Sequence, residues 1–249
     1  MQPSVKHYPN PPIIEAIIDI QTSLTEINNE NIENIKAQLA QTYPLNNEIK
    51  IVSFSTQIKN DETSNSFVSQ NENLGTKFTS VDNKFVAQFR KSGFTLSRLA
   101  PYENWDNFIS EAKKLWQLYC QEIKPSRITR LAVRYINRID IPAVNFKLED
   151  YFQTYPMIAD DIKGELSGFV MQAQIHLEDN IIAVINQAVT TSTKPKDTSI
   201  ILDIDVFNMT NISSENNELT FWNKLELLKE HENTVFESSI KEKTRELFI

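Results

Sequence analysis

The pattern of hydrophobic and polar positions predicts the same order of strands and helices twice along the chain. In the first half, Ile13–Ile20 alternates with a period of two, which predicts a strand, and Asn28–Gln41 repeats its apolar residues at helical spacing. Short alternating runs separated by turn signals then predict an antiparallel meander. The clearest pattern is Trp105–Ile123, whose apolar residues recur at helical spacing and stop just before Pro125. We expect this long helix to pack its apolar stripe on a sheet.

The second half repeats this order with different residues. A long strand comes first, followed by a short helix, three further strands and a final helical region: Ile128–Ile141, Phe146–Thr154, Leu166–Leu177, Ile181–Val189, Ser199–Phe207 and the residues from Asn217 onward. The sequence therefore predicts an α+β fold that is pseudo-duplicated, with each half reading strand, helix, antiparallel meander, long helix. We expect residues 1–125 and 126–249 to form one intimate unit, either as two helix-backed sheets or as one continuous sheet.

The composition narrows the classes of function. The 249 residues include 25 Lys+Arg against 33 Asp+Glu, which gives a formal net charge of -8. Non-specific nucleic-acid binding requires cations that displace counterions from phosphates, so the acidic balance argues against it. The four glycines form neither of the clustered patterns of Rossmann and P-loop proteins, which argues against enzymes of those two classes.

Cysteine usage and hydropathy bear on localisation. A single cysteine, Cys120, forms no intrachain disulfide and fits a reducing compartment. The start of the sequence has no apolar core of the kind found in signal peptides. No run approaches the ~20 apolar residues that a membrane helix needs. We therefore expect a cytoplasmic protein that does not enter a membrane.

The most informative segment is an arginine-rich strand at residues 127–140. Because side chains two residues apart share a face of a strand, Arg130, Arg134 and Arg138 line one face. Arginine binds phosphate and carboxylate groups in a bidentate way, so these arginines, with the neighbouring Asn137, are a candidate site for a small anionic ligand such as a nucleotide. A ladder of ion pairs with acids on neighbouring strands is the alternative interpretation, and the two can coexist.

Other polar residues that could complete such a pocket lie on three further strands. They are Glu15 and Asp19 on the first, Gln172, Gln174 and His176 on another, and Asp203 and Asp205 on the last. Asp203 and Asp205 share a strand face, and they could hold Mg²⁺ through oxygen ligands or face the arginines instead. Because no third carboxylate lies near them in the sequence, we predict neither a metal site nor a cofactor.

The spacing of the acids also predicts specific ion pairs. If the first strand and the arginine strand are antiparallel neighbours, Glu15 should meet Arg138 and Asp19 should meet Arg134. Arg130 would then be left for an outside anion. The sequence contains no G-x-S-x-G elbow, and its three histidines have no metalloprotease spacing, so we predict no catalytic residues.

Four segments stand out together by their order and spacing. They are Pro11-Pro12-Ile-Ile-Glu15-Ala, the passage from Gly93 to Trp105, Arg134-Tyr135-Ile-Asn137-Arg138, and Leu202-Asp203-Ile-Asp205-Val-Phe207, with a closing helix around His231 and Phe236. Together they resemble a sporadically distributed family of bacterial proteins of about this length, and the Arg-Tyr-Ile-Asn-Arg strand is the most specific part. The resemblance covers nearly the whole chain. It implies a setting in mobile elements, antiviral defence or toxin–antitoxin control, and it carries over no catalytic residue and no settled activity.

Three functions are compatible with these observations. The first is a non-enzymatic recognition module that binds a small anionic ligand or a protein partner, in a bacterial defence or toxin–antitoxin system. The second is a metal-dependent phosphohydrolase or nucleotidyl enzyme, in which Asp203, Asp205 and Glu15 would hold Mg²⁺ while the arginines hold phosphate. The third is a structural subunit of a homo-oligomer.

Overall fold

The computed structural model describes residues 8–57, 66–143, 146–159, 161–164, 166–192, 194–195, 197–213 and 218–249. Over these ranges, nine antiparallel strands form a single open sheet. The strands are β1 (Ile13–Thr22), β2 (Leu45–Gln57), β3 (Ser66–Thr79), β4 (Phe85–Arg90), β5 (Gly93–Leu99), β6 (Arg127–Ile141), β7 (Val170–His176), β8 (Ile181–Thr190) and β9 (Thr198–Ser213). The helices are α1 (Asn29–Leu39), α2 (Trp105–Ile123), α3 (Leu148–Tyr151), α4 (Glu218–Ser239) and α5 (Glu242–Arg245), with short 3₁₀ turns at Glu178–Asn180 and Glu246–Phe248.

The order of the strands corrects the predicted fold class. The sheet runs β2-β3-β4-β5-β1-β6-β9-β8-β7, so β1 and β6 are hydrogen-bonded neighbours in its middle. The prediction of an α+β fold with two helix-backed sheets is therefore wrong, because this pairing joins the strands of residues 1–125 and 126–249 into one sheet. The halves also differ, since the helix after β1 has 11 residues and the helix after β6 has 4. Alternation along a strand fixes which of its faces is buried, but it leaves open which strand lies beside it.

The helices form the hydrophobic core together with one face of the sheet. On β1, Ile18 and Ile20 are fully buried, whereas Asp19 between them is only half-buried. α2 spans the predicted residues, and Trp116 and Tyr119 on its apolar stripe contact the ring of Phe94 on β5. α4 packs on β6, β8 and β9. The apolar stripes of the two long helices thus form much of the hydrophobic core.

Among the described helices, none combines the length and the apolar composition of a bilayer span. α2 illustrates the difference, because its 19 residues turn an apolar stripe to the sheet and expose polar residues such as Lys113 and Gln117. Burial of one face only is typical of a helix that covers a sheet.

One glycine sets the approach of β5 to β1. Gly93, at the start of β5, has a φ of +146°, and a Cβ atom there would lie 2.2 Å from the carbonyl oxygen of Ile20. Only a residue without a side chain fits both the space and the backbone angle. The register that follows places Thr95 opposite Asp19, and the hydroxyl group of Thr95 donates a hydrogen bond to this carboxylate.

α1 begins with a reciprocal cap that offers a test of the helix start. The Asn28 side chain accepts a hydrogen bond from the backbone N–H of Asn31, whose own side chain accepts one from the N–H of Asn28. Replacing Asn28 with alanine should lower the free energy of unfolding by about 1 kcal/mol, because the amide of Asn31 loses its partner. Urea unfolding measures the loss. Asn29→Ala, in the first turn but outside the cap, should change the free energy of unfolding by less than about 0.5 kcal/mol, and equal losses in both variants would contradict a stabilising cap.

Candidate functional site: a central cavity beside a paired arginine row

The polar face is the surface of the sheet opposite the core helices. It is formed in its middle by Glu15, Asp19, Arg130, Arg134, Arg138, Asp203 and Asp205, which come from β1, β6 and β9. β6 lies between the two acid-bearing strands, so its arginines have carboxylates on both sides. The sequence-predicted arginines and most of the predicted acids are therefore brought together on one surface.

Arg130 is the arginine of this row that binds carboxylates on both neighbouring strands. Its Nη1 donates to Oδ2 of Asp19 at 3.0 Å, and its Nη2 donates to Oδ2 of Asp205 at 2.7 Å. The guanidinium also lies 4.3 Å from the ring centroid of Phe207. Asp19 is shared, because Nη2 of Arg90 donates to its Oδ1 at 2.5 Å. Arg130 thus links three strands through one side chain, and the prediction that it is left for an outside anion is wrong.

The other two arginines of the row bind different acids. Arg134 forms a bidentate pair with Asp203, with Nε–Oδ1 and Nη2–Oδ2 distances of 2.7 and 2.6 Å. Arg138 donates from Nε to Asp140 at 3.0 Å and from Nη2 to the Ser199 hydroxyl at 3.0 Å. The carboxylates of the protein itself therefore neutralise the charges of these arginines.

The predicted pairs with the first strand have the right neighbours but the wrong register. β1 and β6 are antiparallel neighbours, yet Asp19 lies opposite Ala132 and Glu15 opposite Ile136. The expected pairs Asp19–Arg134 and Glu15–Arg138 are therefore not formed. Glu15 makes no ion pair with any residue in the part of the chain that the structure describes. Irregularities at both ends of the β1–β6 ladder shift the register, and equal spacing on two strands does not reveal such a shift.

Asn137 does not belong with the arginines. Its side chain lies on the core face, is 1% exposed, and donates to the carbonyl oxygen of Leu202 at 3.1 Å. An odd-numbered residue on this strand faces away from the even-numbered arginines, so the same alternation that grouped the arginines excludes Asn137. Its inclusion in the predicted anion site is therefore wrong.

The predicted polar residues of β7 divide into two groups. Gln172 donates to Asn186 at 2.7 Å, and Asn186 donates to Oδ2 of Asp203 at 3.3 Å, so Gln172 extends the cluster toward the edge of the sheet. Gln174 and His176 are exposed and approach only each other, at 3.5 Å. No three His, Cys, Asp or Glu side chains among the described residues come together as a group that could hold a metal ion.

The electrostatics of the polar face are those of an internally paired cluster. Burial raises the pKa of Asp205, although Arg130 and Arg134 both act to lower it. The hydrogen bonds to Asp203 raise the pKa of the Arg134 guanidinium. At Asp140 burial acts to raise the pKa, but hydrogen bonds from Ser199 and Arg138 outweigh it and hold the pKa below its ordinary value. An outside anion would have to bind beside carboxylates that already pair with these arginines, which weakens its attraction to them.

A cavity of about 190 Å³ lies on the other side of the sheet, where the two halves of the chain meet. Its wall combines the segment before β1, the start of α2, the middle of β6 and the last third of α4. The side chains that line it include Tyr102, Trp105, Tyr135, Lys229, Glu232 and Phe236. Mostly apolar cavities with a few polar groups are the usual form of small-molecule sites.

Glu232 is the unusual residue of this cavity. It is 1% exposed, and neither of its carboxylate oxygens has a hydrogen-bond partner among the described residues. Burial raises its pKa well above the ordinary value of 4.5, and the charge of Lys229 lowers it only in part. A buried carboxyl group without a partner is costly, so native structures rarely keep one without a use.

Aromatic side chains surround this carboxyl group. The hydroxyl groups of Tyr102 and Tyr135 are 3.2 Å apart, and burial raises the pKa of Tyr102 to about 12. The indole N–H of Trp105 donates to Glu226 at 2.7 Å, which fixes the ring at the cavity wall. The hydroxyl groups of Tyr102 and Tyr135 lie within hydrogen-bond distance of each other, and the indole N–H of Trp105 bonds to Glu226 outside the cavity, so these bonds hold the three side chains in place.

The remaining acids at the cavity are neutralised by arginines. Glu103 pairs with Arg98 at 2.8 Å, and Glu237 pairs with Arg245 at 2.9 Å. Glu237 also accepts a hydrogen bond from the hydroxyl group of Tyr8 at 2.7 Å. Glu232 therefore differs from its neighbours in having no cation bound to it among the described residues.

Sequence reasoning missed Glu232, although a signal for it was present. The apolar residues Leu225, Leu228 and Phe236 define the inward stripe of α4, and Glu232 falls between them at helical spacing. A charged residue on an apolar stripe is a candidate functional residue. Asn137 was predicted at the anion site, but it lines this cavity instead.

Three of the four segments behind the family resemblance, and the closing helix, contribute residues to this cavity. Pro11 and Pro12, the passage from Tyr102 to Trp105, the pair Tyr135 and Asn137, and Phe236 of the closing helix all line it. In comparisons with known proteins, no family model and no curated protein matches the chain. The function is therefore inferred from the geometry of the residues themselves, and two places offer chemistry: the paired polar face and the cavity around Glu232.

Proposed function

We propose that the protein is a non-enzymatic recognition module that binds a small ligand in the central cavity. The observation that carries this proposal is the fully buried, unpartnered carboxyl group of Glu232 at the cavity wall. A folded protein gains nothing from such a group in the absence of a partner, because burial without a hydrogen bond costs about 1–3 kcal/mol. A ligand that bonds to this group would remove that cost.

The polar face supports the other candidate functions less well. An anionic ligand at Arg130, Arg134 and Arg138 would compete with carboxylates that already lie within hydrogen-bond distance. A Mg²⁺ ion at Asp203 and Asp205 would compete with Arg134, which binds both oxygens of Asp203, and with Arg130, which binds Oδ2 of Asp205. Breaking such pairs leaves buried charges without partners, which is strongly unfavourable. A protein partner, a homo-oligomer and a defence or toxin–antitoxin setting stay predictions.

A cavity-filling variant tests the proposed site. Asn233 lines the cavity on α4, so Asn233→Trp should place a large ring in the ligand volume and abolish binding. The measurement is a ligand-observed NMR screen with a fragment library that contains cationic, neutral and anionic members. We expect fragments that bind the wild type and fail to bind Asn233→Trp.

The matched control is Asn223→Trp, which adds the same ring to an exposed position of the same helix. It should keep every fragment that the wild type binds. A screen in which no fragment distinguishes Asn233→Trp from the other two proteins would overturn the proposal, since the cavity would then not be the binding site.

A further inference from the structure

We infer that the ligand of the central cavity is a small organic cation, an amine or a quaternary ammonium group, whose charge is met by the carboxylate of Glu232 between aromatic walls. This inference rests on the proposed function and names its ligand class. It follows from three properties of the cavity: the charges around it, the rings that line it and its size.

The charge balance of the cavity favours a cation. Glu103 and Glu237 already hold Arg98 and Arg245, whereas Glu232 has both oxygens unpartnered among the described residues. Lys229 lines the same cavity but forms no hydrogen bond with Glu232. An anionic ligand would oppose ionisation of this carboxyl group, whereas a cation placed against its two unpartnered oxygens offsets the cost of ionising it, so a cation is the complement of the ionised form.

The walls suit a cation as well. Tyr102 and Tyr135 lie with ring centroids 5.6 Å apart, and Tyr102 also contacts Phe108 at the base of α2. The faces of aromatic rings attract ammonium groups, with a gain of about 2 kcal/mol or more when the pair is shielded from water. A carboxylate beside several rings is thus a combination that recognises charge and apolar surface together.

The volume limits the size of the ligand. A cavity of about 190 Å³ is somewhat larger than an apolar cavity of about 150 Å³, which holds benzene. A nucleotide or a peptide would extend well beyond this volume. A simple alkylamine, a benzyl-type amine or a small quaternary ammonium ion fits.

Binding of a cation should be coupled to the loss of a proton. Burial raises the pKa of Glu232, so without a ligand the group holds its proton at pH values where an exposed glutamate is ionised. The cation binds the ionised form, and its affinity should therefore rise with pH. The other titratable groups that face the site are Lys229 and Glu237 on α4, Tyr135 on β6, Glu103 and Tyr102 before α2, and Tyr8.

Isothermal titration calorimetry with three matched probes tests the inference. The probes are benzylammonium, benzyl alcohol and benzoate, which share a ring and differ in charge, and the same series with butyl groups covers a slimmer shape. We expect a cation of one of the two series to bind at least about tenfold more tightly than its alcohol and carboxylate, and more tightly at pH 8 than at pH 6. Glu232→Gln should weaken that binding by at least about thirtyfold, which corresponds to the loss of one partner of a buried charge pair.

Glu230→Gln is the control, since it removes a carboxylate from an exposed position of the same helix and should leave the affinity unchanged. Alcohols or carboxylates that bind as tightly as the cations, or equal affinities in wild type and Glu232→Gln, would overturn the inference while the fragment screen with Asn233→Trp still supports a ligand site. If no fragment distinguishes Asn233→Trp, the inference and the proposed function both fall.

Discussion

Replacing Arg130 with methionine should lower the free energy of unfolding by about 3–5 kcal/mol, the range found when one partner of a buried ion pair is removed. The side chain of Arg130 is 15% exposed, and it is bound to Asp19 on β1 and to Asp205 on β9. Methionine keeps much of the apolar stem but leaves two carboxylates close together without their shared cation. Equilibrium urea unfolding at neutral pH measures the loss.

Two controls separate this effect from a general loss of packing. Arg127→Met, at the exposed end of the same strand, removes only a contact with Asn211 and should change the free energy of unfolding by less than about 0.5 kcal/mol. Adding Asp205→Asn to Arg130→Met should recover part of the loss, because Asp205 then carries no uncompensated charge while Asp19 keeps Arg90 as its partner. A loss below about 1 kcal/mol for Arg130→Met would contradict the central role of this arginine.

The same variant should respond to pH in a defined direction. Burial already raises the pKa of Asp205 with Arg130 present, and without that cation the pKa of Asp205 should lie higher still. The native state would then bind protons that the unfolded state has lost, so the deficit should shrink as the pH falls toward the ordinary range of aspartate.

The faces of the strands could be predicted from the sequence, but the register could not. Alternation alone places Arg130, Arg134 and Arg138 on one surface, and the structure has them there. From Glu15 to Gln21 the ladder keeps one register, which lies two residues away from the one that would pair Glu15 with Arg138 and Asp19 with Arg134. The register follows from how the neighbouring strands fit together, and the spacing within one strand does not reveal it.

The cavity could be predicted only in part, because it is assembled from four separated segments. The pattern of α4 reveals that Glu232 falls on an apolar stripe, which is a local observation. It does not reveal that Tyr102 and Tyr135 lie around it, since that depends on β1 and β6 being neighbours in one sheet. The sequence left two sheets and one continuous sheet as alternatives, and the cavity lies where the two halves of the single sheet meet, so its position could not be predicted.

The unpartnered carboxyl group of Glu232 conflicts with its buried position on α4. Glu237, also buried on this helix, is paired with Arg245, and Leu225, Leu228 and Phe236 are apolar. Proteins tolerate such a conflict at functional sites, where stability is given up for activity or binding. If Glu232 is such a site, the stability lost there must be measurable when the ligand is absent.

Glu232→Gln should therefore stabilise the ligand-free protein, by an amount that grows with pH. Because the native pKa is raised, the native state keeps its proton above pH 4.5 while the unfolded state loses it, and the stability of the wild type falls as the pH rises. The slope is at most about 1.4 kcal/mol per pH unit, and the variant lacks this contribution because glutamine does not titrate.

Urea unfolding at several pH values between 4 and 8 should give nearly equal stabilities at the acid end and a widening gain for Glu232→Gln toward pH 8. Glu230→Gln, at an exposed position, should run parallel to the wild type throughout. A Glu232→Gln curve that also runs parallel to the wild type would mean that this carboxyl group has a partner or water around it, and the cavity would lose the feature that marks it as a binding site.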